Sequence, residues 1–303
     1  MEKEFWVSTS DHTDVYVKKW FKTEVKPKAI VQLSHGMIEH IQRYHDFSTF
    51  LLENDIFVYG NDHRGHGKTG GQQGQLGYFS DRNGFTNVME DIHEITKIIK
   101  SEYPKTPLIL FGHSMGSFLA RHYIQFYSND IDGLILSGTG FFPTITNISG
   151  KALASILPAK KKSSLMNTLA FGTYNKKIVN KKTNFDWLTR DEEAVTKYID
   201  DPQTGYIPTA RFFYDLMDGL DKIHKKNLNK NIRKDLPILL ISGEADPVGN
   251  YSKGVWKVAK IYNQIGLDNV KTVLFEGARH ELLHEINKEE VYSTIYNWVM
   301  NKL

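Results

Sequence analysis

Short apolar runs alternate with helical patterns along most of this chain of 303 residues. Eight of the runs predict β-strands, at Phe5–Ser8, Val15–Trp20, Ala29–Ser34, Phe57–Gly60, Leu108–Phe111, Leu134–Ser137, Ile238–Ser242 and Thr272–Phe275. Several of them consist largely of Val, Ile and Leu, which is typical of strands buried on both faces of a parallel sheet. The pattern therefore predicts a mostly parallel sheet.

Apolar residues three and four positions apart predict helices between the strands. One such face contains Phe85, Val88, Met89, Ile92, Ile95 and Ile99, and another, near the C-terminus, contains Val291, Tyr292, Ile295, Trp298 and Val299. This spacing is expected of helices that pack on a sheet. Alternating strands and helices imply βαβ units, so the predicted fold class is α/β with a doubly wound sheet.

The alternation stops between about Gly140 and Asn227, where helical patterns continue without a convincing strand. We interpret residues 140–227 as an insertion between the sixth and seventh strands, and residues 1–139 and 228–303 as the core. Within the insertion, Thr189 and Glu192 have the spacing of a capping box, and the helix that they open should end before Pro202.

The composition is that of an ordinary globular protein, with 40% hydrophobic and 24% charged residues. A net charge of +3 is too small to indicate a nucleic-acid partner. The chain has no cysteine, which excludes disulfides, thiolate chemistry and cysteine metal ligands. The N-terminal residues lack the pattern of a secretory signal, and no run approaches the roughly 18 apolar residues of a membrane span. These features predict a soluble, cytoplasmic protein.

A glycine-rich turn follows the fifth predicted strand, where Gly112 and Gly116 flank Ser114 in a Gly-x-Ser-x-Gly motif. A serine at a sharp strand-to-helix turn exposes its hydroxyl at the carboxyl edge of the sheet, and side chains at the flanking positions would collide with the turn. The start of the following helix also places partial positive charge near a developing anion. Ser114 is therefore the predicted nucleophile, whereas the side chain of His113 should point away from it and pack.

A serine hydroxyl needs a base that accepts its proton and a carboxylate that orients the base. In folds with this turn, the acid and then the histidine follow the serine along the chain, on loops after later strands. The loop after Ile238–Ser242 contains Glu244 and Asp246, and we favour Asp246 because it lies further past the strand. The loop after Thr272–Phe275 contains His280, the predicted base.

Residues His280 to His284 also spell H-E-x-x-H, the pattern of many zinc proteases. Two histidines four apart on a helix can bind one metal ion, so a zinc site is the alternative interpretation. The motif, however, follows a strand and a glycine, and Glu285, Glu289 and Glu290 come too soon for the usual third ligand. We therefore predict no metal site, with His280 as the base and His284 behind it or solvated.

Acyl transfer creates an oxyanion, which needs two backbone donors. One is expected from Met115, the residue after the nucleophile, and the second from Met37, in the loop that follows Ala29–Ser34. The alternative is that residues 35–37 form an ordinary turn at the end of a strand. Together with the serine motif, the loop predicts an oxyanion hole.

Five motifs occur in order, each after a predicted strand. They are His35–His40 with Arg43 and Tyr44, Asp62–Gly67, Gly112–Gly116, Gly243–Pro247 and Gly277–His280. Together they resemble the monoacylglycerol lipase and lysophospholipase branch of the α/β-hydrolases, within the serine aminopeptidase-type family. The resemblance extends over nearly the whole chain and is weakest in the insertion. The family often has Asn where this chain has His284, and that departure produces the zinc-like pattern.

The resemblance implies an α/β-hydrolase fold, in which a mostly parallel eight-stranded sheet is flanked by helices and a helical cap is inserted after the sixth strand. It implies that Ser114, Asp246 and His280 form a catalytic triad, and that Met37 and Met115 supply the oxyanion amides. Residues expected to support the rim of the site are His35, Gly36, Asp62, Arg64, His66 and His113.

The implied activity is hydrolysis of a carboxylic ester through an acyl-enzyme, without a cofactor. The expected substrate is a small molecule with one acyl chain, such as a monoacylglycerol or a lysophospholipid. A short-chain carboxylesterase, a thioesterase and an aminopeptidase are alternatives on the same machinery. A ligand-binding protein that keeps the fold is an alternative of another class, although a pure binder has no need of a complete triad.

From Gly133 to Asn184 the chain has no acidic residue. The same stretch contains the lysines Lys151, Lys160, Lys161, Lys162, Lys176, Lys177, Lys181 and Lys182. Basic, apolar helices can lie on anionic membranes, so the stretch is a candidate for peripheral membrane contact, although a solvated lysine face is the favoured interpretation. Aromatic residues here and further along are candidates either for an acyl pocket or for the core; examples are Phe142, Phe171, Phe212 and Phe213.

Overall fold

The strands form one eight-stranded sheet in a computed structural model that describes residues 1–302. Their bounds are β1 Glu2–Ser8, β2 Asp14–Trp20, β3 Ala29–Ser34, β4 Ile56–Asn61, β5 Leu108–His113, β6 Gly133–Ser137, β7 Ile238–Gly243 and β8 Val270–Phe275. Their order across the sheet is β1-β2-β4-β3-β5-β6-β7-β8. The pairs β1–β2 and β2–β4 are antiparallel, and the remaining pairs are parallel. The predicted eight-stranded, mostly parallel sheet is confirmed, although β1 begins earlier than expected, at Glu2, and β8 at Val270.

Helices cover both faces of the sheet. Their bounds are α1 His45–Glu53, α2 Gly67–Gln72, α3 Gly84–Glu102, α4 Met115–Tyr127, α5 Thr144–Ser155, α6 Ser164–Phe171, α7 Glu192–Asp200, α8 Ala210–Lys222, α9 Lys226–Asn229, α10 Lys253–Gln264 and α11 Lys288–Met300. Short 3₁₀ turns lie at Ile41–Tyr44, Ser128–Asp130, Tyr174–Lys177 and Leu282–His284. Within residues 1–302, no helix has the length and apolar character that crossing a bilayer requires.

The two faces of the sheet carry separate apolar layers. Successive strand residues point to opposite faces, so Ile30 and Leu110 pack with α3, α4 and α10, whereas Val31 and Ile109 pack with α1 and α11. Every residue of β3 to β7 is buried. Strands covered on both sides are mostly apolar, which explains why nearly continuous apolar runs predicted them well.

The segment between β6 and β7 contains α5 to α9, and within residues 138–237 its only β-pairing is an isolated bridge between Lys162 and Thr209. The expected capping box is wrong in one detail. Asp191 caps α7, because its carboxylate accepts the backbone N–H groups of Glu193 and Ala194. The hydroxyl oxygen of Thr189 instead accepts the N–H of Asp191, before the helix begins. The helix ends at Asp200, before Pro202, as expected. The division into a core and a cap at residues 140 and 227 remains a prediction.

Candidate active site

Ser114 lies between β5 and α4 with φ 51° and ψ −117°, a conformation that residues other than glycine rarely adopt. Its backbone is held in place because its N–H donates to the carbonyl of Ser137 at 2.9 Å. The glycine at 116 is required sterically, since a Cβ there would lie 2.0 Å from the carbonyl oxygen of Ser34. The tight turn thus brings α4 against the end of β3 and presents the hydroxyl of Ser114 to the pocket beside it.

Two loops at the same edge of the sheet bring Asp246 and His280 to Ser114. Nε2 of His280 lies 2.8 Å from Oγ of Ser114, and its Nδ1 lies 3.0 Å from Oδ2 of Asp246. The other oxygen of Asp246 accepts the N–H of Val248 at 2.8 Å, which fixes the carboxylate. Because ionised Asp246 can only accept, Nδ1 of His280 carries the proton, and Nε2 is free to take one from Ser114.

The charge balance around His280 suits a base. Burial by itself lowers the pKa of His280, but the negative charge of Asp246 and the hydrogen bond from the ring to it outweigh burial, so that the pKa is raised from 6.5. The carboxylates of Glu281 and Glu39 act in the same direction. The imidazolium that forms when the ring accepts a proton is therefore stabilised where it is needed.

Met37 and Met115 both line the pocket beside Ser114. Buried backbone N–H groups are almost always paired. Within residues 1–302, however, neither the N–H of Met37 nor that of Met115 donates a hydrogen bond to another protein group. Two unpaired donors next to a serine hydroxyl form the arrangement that a developing oxyanion needs.

The loop that carries Met37 is held from below by three side chains. Glu39 accepts the N–H of Gly36 at 2.5 Å and the hydroxyl of Tyr44 at 2.9 Å. Asp62 accepts the N–H of Ile41 at 2.8 Å and, through its other oxygen, that of Lys68 at 2.7 Å. Asp62 therefore ties the oxyanion loop to the loop after β4.

His35 contributes a third tie, and its proton can be placed. Its Nε2 accepts the backbone N–H of His63 at 2.9 Å, so the proton is on Nδ1, which lies 2.8 Å from the carbonyl of Gly36. Burial, assisted by the neighbouring His66, lowers the pKa of His35 to about 3. The ring is accordingly neutral, and it joins the ends of β3 and β4 beneath the loop.

The other three residues expected at the rim lie in different places. Arg64 points away from the pocket and makes ion pairs with Asp91 at 2.7 Å and Asp11 at 2.6 Å, which hold the loop after β4 against α3 and the β1–β2 turn. His66 is buried in an aromatic cluster with Phe79 and Phe212. These two residues support the loops and do not line the pocket.

His113, which was expected to pack and to support the rim, borders the pocket. Its ring lies with its centroid 4.8 Å from that of His280, and its Nδ1 lies 3.3 Å from Oγ of Ser137. Burial, together with the neighbouring His280, lowers the pKa of His113 to about 4. The ring therefore covers one side of His280 in its neutral form.

The H-E-x-x-H sequence does not form the helix that the zinc interpretation needs. His280 is in a loop, and only Leu282–His284 form a short 3₁₀ turn. Both nitrogens of His280 are engaged by Asp246 and Ser114. His284 lies behind the site, where burial and the charge of Arg43 lower its pKa to about 4.

A pocket of about 300 Å³ opens in front of Ser114. Its lining is mainly apolar and comes largely from the segment between β6 and β7; it includes Phe118, Phe142, Leu169, Phe171, Trp187, Leu216, Met217, Leu220 and Val248. Pockets of this kind bind apolar ligand groups and orient them with a few polar groups. Here the polar groups include Ser114 and His280, together with Thr146 and Asn147 of α5.

Three further side chains that shape the site had no role assigned from the sequence: those of Trp187, Arg43 and Glu281. Trp187 covers His280, with ring centroids 5.1 Å apart. Arg43 bridges the carboxylates of Glu39 and Glu281. Arg43 and Glu39 belong to the oxyanion-loop motif, which was a usable signal, whereas Glu281 was visible only as part of the misleading zinc pattern.

Comparison with known proteins adds a direct test of the resemblance. The family model described as serine aminopeptidase, S33, matches residues 25–287. The chain belongs to this family. It is an α/β-hydrolase of the monoacylglycerol lipase-like kind and a serine hydrolase, as the motifs predicted.

Relatives of this α/β-hydrolase are similar along nearly their whole length. The monoacylglycerol lipase of Mycolicibacterium smegmatis is 26% identical over 92% of this chain and 91% of its own. The monoglyceride lipase of Rattus norvegicus is 26% identical over 94% of this chain and 86% of its own. The crystal structure of a thermostable carboxyl esterase from Bacillus coagulans superposes with a TM-score of 0.91, at 30% identity, over 99% of this chain and 98% of the esterase. The hydrolase fold thus extends over the full chain.

Proposed function

We propose that the protein hydrolyses carboxylic esters through an acyl-enzyme formed on Ser114. The observation that carries this proposal is the continuous hydrogen-bonded chain from Asp246 through His280 to Ser114, which ends beside two unpaired backbone amides. Asp246 orients the base, His280 accepts the proton, and Met37 and Met115 donate to the oxyanion. A protein that only binds ligands has no use for this combination.

The reaction has two halves that use the same groups. Oγ of Ser114 bonds to the ester carbonyl carbon while its proton passes to Nε2 of His280, and the carbonyl oxygen becomes an oxyanion between the two amides. The bond from carbon to the leaving oxygen then breaks, and His280 returns the proton to the departing alcohol. Water adds to the acyl-enzyme by the same route and releases the carboxylic acid and free Ser114.

The shape of the pocket supports a substrate with one acyl chain. Its lining is mainly apolar, and its volume of about 300 Å³ suits a single chain. The relatives named as monoacylglycerol and monoglyceride lipases support a monoacylglycerol as substrate. A lysophospholipid also carries a single acyl chain and is included in the proposal for that reason. The carboxyl esterase relative, at 30% identity, supports another carboxylic ester as the second candidate.

Labelling and a substrate panel test the proposal. We expect a fluorophosphonate probe to label the wild type and not Ser114→Ala, and the panel to favour esters with medium or long chains. The panel contains p-nitrophenyl esters of increasing chain length, a monoacylglycerol, a lysophospholipid, a thioester and an amino-acid amide. Equal labelling of Ser114→Ala would contradict the mechanism. Activity confined to the shortest esters, the thioester or the amide would contradict the lipid substrate and leave the mechanism intact.

We also propose that the segment between β6 and β7 touches anionic membrane. Its outer surface exposes apolar side chains, including Val179 (82%), Ile156 (78%), Ile145 (71%) and Leu169 (61%), and Leu169 also lines the pocket. Where exposed apolar side chains form one patch, the patch commonly binds a partner or a membrane. Among the lysines of this stretch, Lys151, Lys160 and Lys182 already pair with acidic residues, so the charge for anionic lipid is expected from the other exposed lysines, such as Lys161, Lys162 and Lys181.

Co-sedimentation with vesicles tests this contact. We expect binding that increases with the anionic lipid content and that falls in the double variant Ile145→Ser/Ile156→Ser. Trp256→Ser is the matched control, because Trp256 is an exposed apolar residue on α10, outside the segment. Binding that does not depend on anionic lipid would contradict the proposal, and so would an equal loss in the control.

A further inference from the structure

One buried guanidinium joins the two loops that carry the reacting groups. Nη1 of Arg43 lies 2.6 Å from Oε2 of Glu39, and the two terminal nitrogens of Arg43 each lie 2.7 Å from an oxygen of Glu281. All three side chains are at least nine-tenths buried. A bidentate Arg–carboxylate pair has a fixed geometry as well as a favourable charge, so it holds Glu281 in one position.

At one end of this cluster, Glu39 fixes the position of the oxyanion loop, which is the loop after β3 that carries Met37. Its second oxygen accepts the N–H of Gly36, the residue before Met37, and the hydroxyl of Tyr44. A displaced Glu39 would release the N–H of Gly36 and let the amide of Met37 turn. The position of Glu39 is in turn fixed by Arg43.

At its other end, the cluster fixes the position of the histidine loop, which is the loop after β8 that carries His280. Glu281 directly follows His280 in this loop. The N–H of Glu281 donates to the carbonyl of Leu188 at 2.6 Å, and that of His280 to the carbonyl of Trp187 at 3.4 Å. With its side chain held by Arg43 and its backbone held by Leu188, Glu281 has little freedom to shift. The backbone of His280 is restrained with it.

Tyr198 on α7 connects the segment between β6 and β7 to the same cluster. Its ring lies under the guanidinium of Arg43, 4.8 Å from the ring centroid to Cζ, and its hydroxyl donates to the carbonyl of Ile38 at 3.2 Å. The oxyanion loop, the histidine loop and α7 therefore meet at Arg43.

We infer that Glu281 is a positioning residue, which acts through Arg43 and Glu39 to fix His280 relative to the oxyanion amide of Met37. The inference rests on the proposed function, in which His280 is the base and Met37 an oxyanion donor. In this arrangement, one cluster sets the distance between the group that takes the proton and the group that receives the developing charge. A misplacement of about 1 Å at such a site costs about 100-fold in rate.

The cluster also acts on His280 through its charge. The ionisable groups that face the ring are Asp246 on the loop after β7, Glu281, Glu39 on the oxyanion loop and neutral His113 at the end of β5. Burial by itself raises the pKa of Glu281, but the adjacent Arg43 outweighs burial and lowers it, so that Glu281 is ionised. Two carboxylates and one guanidinium leave one net negative charge, which favours the imidazolium form of His280.

Glu281→Gln removes this charge while it keeps the size of the side chain. We expect kcat/KM on p-nitrophenyl butyrate to fall about 10- to 100-fold. The acid limb of the pH profile should move to lower pH, because His280 loses a neighbour that favours its protonated form. Glu281→Asp retains the charge and shortens the side chain, so it should lower the rate and leave the acid limb where it is in the wild type.

Asp91→Asn is the matched control, because it also removes the charge of a buried carboxylate that is paired with an arginine. Asp91 forms a similar bidentate pair with Arg64, which also bridges to a second carboxylate, Asp11. This variant should lose thermal stability and keep both the rate and the pH profile of the wild type. A shift of the acid limb in Asp91→Asn would contradict the inference. The shift would then not require the loss of a charge next to His280.

A wild-type rate and pH profile in folded Glu281→Gln would overturn the inference, and so would a lower rate with an unmoved acid limb. If Glu281→Gln does not fold, Glu281→Asp decides, since a wild-type rate there would also overturn it. Ser114→Ala is measured alongside. Retained hydrolysis in Ser114→Ala would refute the proposed function itself, whereas loss in Ser114→Ala with no effect of Glu281→Gln would refute only the role of Glu281.

Discussion

The indole ring of Trp187 covers the imidazole of His280, and the carbonyl of Trp187 accepts the backbone N–H of His280 at 3.4 Å. Trp187 belongs to the segment between β6 and β7, whereas His280 follows β8. The segment that lines most of the pocket thus also contacts the proposed base. A change in this segment is therefore expected to alter proton transfer as well as substrate binding.

The first prediction concerns this contact. Trp187→Ala should admit water to the ring of His280, and because burial lowers the pKa of that ring, its pKa should rise further. The acid limb of the pH–rate profile is then expected to move to higher pH, as measured by kcat/KM on a short p-nitrophenyl ester. Trp256→Ala removes an exposed indole elsewhere and should leave the profile unchanged. A shift to lower pH in Trp187→Ala would contradict the expectation.

The second prediction is the pH dependence of the wild type. The base must be neutral to accept the proton of Ser114, so kcat/KM should increase as the pH rises through the pKa of His280. The charge of Asp246 raises that pKa against the opposing effect of burial, and the midpoint should therefore lie above 6.5. Stopped assays in constant-ionic-strength buffers measure it, and a midpoint clearly below 6.5 would be incompatible with the charge balance.

Asp246→Asn is the third test. It leaves the size of the side chain unchanged, removes the charge that stabilises the imidazolium and favours the wrong tautomer of His280. We expect kcat to fall by about 10⁴-fold with the fold intact. Circular dichroism checks the fold, and Glu244→Gln on the same loop is the control that should keep its activity. A small effect of Asp246→Asn together with a large effect of Glu244→Gln would move the acid to Glu244.

The fourth prediction compares two glycines. A Cβ at Gly116 would lie 2.0 Å from the carbonyl oxygen of Ser34, so Gly116→Ala should force α4 away from the sheet and destabilise the protein by several kcal/mol. At Gly71, in α2, a Cβ would meet nothing within 4 Å. Gly71→Ala should therefore be stabilising, by about 0.5–1 kcal/mol. Chemical denaturation compares the free energies of unfolding, and a mild effect at Gly116 would contradict the close packing of the turn.

A fifth prediction concerns Asn147, a buried residue of α5 that lines the pocket. Its Oδ1 has no hydrogen-bond partner within the described residues, and its Nδ2 makes only a long contact of 3.5 Å with the carbonyl of Phe142. Asn147→Leu removes an unpaired acceptor, so it should raise the free energy of unfolding by about 1 kcal/mol and increase the preference for long acyl chains. Asn147→Asp, which buries a charge instead, should lower stability. A less stable Asn147→Leu would show that the amide is satisfied in solution.

Sequence reasoning worked where a local pattern has one structural solution. The central strands are buried on both faces and are therefore mostly apolar. The turn at Ser114 needs glycine at 116 because of a backbone contact, so its motif was informative between a predicted strand and a helical pattern. The choice between Thr189 and Asp191 as a helix cap was missed, because both residue types cap well and packing decides which one starts the helix.

Contacts between distant segments could not be predicted from local patterns. Arg43 and Glu281 are 238 positions apart and meet only because β3 and β8 end at the same edge of the sheet. The aromatic residues illustrate the same limit. Phe142 and Phe171 line the pocket whereas Phe212 and Phe213 are fully buried in the core, although nothing in their local sequence separates the two fates.

The backbone of Ser114 has a consequence for how this protein can change over generations. Holding a serine at φ 51° and ψ −117° costs the folded state about 1–3 kcal/mol, which glycine at the same position would largely avoid. Selection for heat resistance alone would therefore favour glycine in place of Ser114. Variants bred for stability need a simultaneous screen for turnover, because the most stable neighbour in sequence space at position 114 is an inactive one.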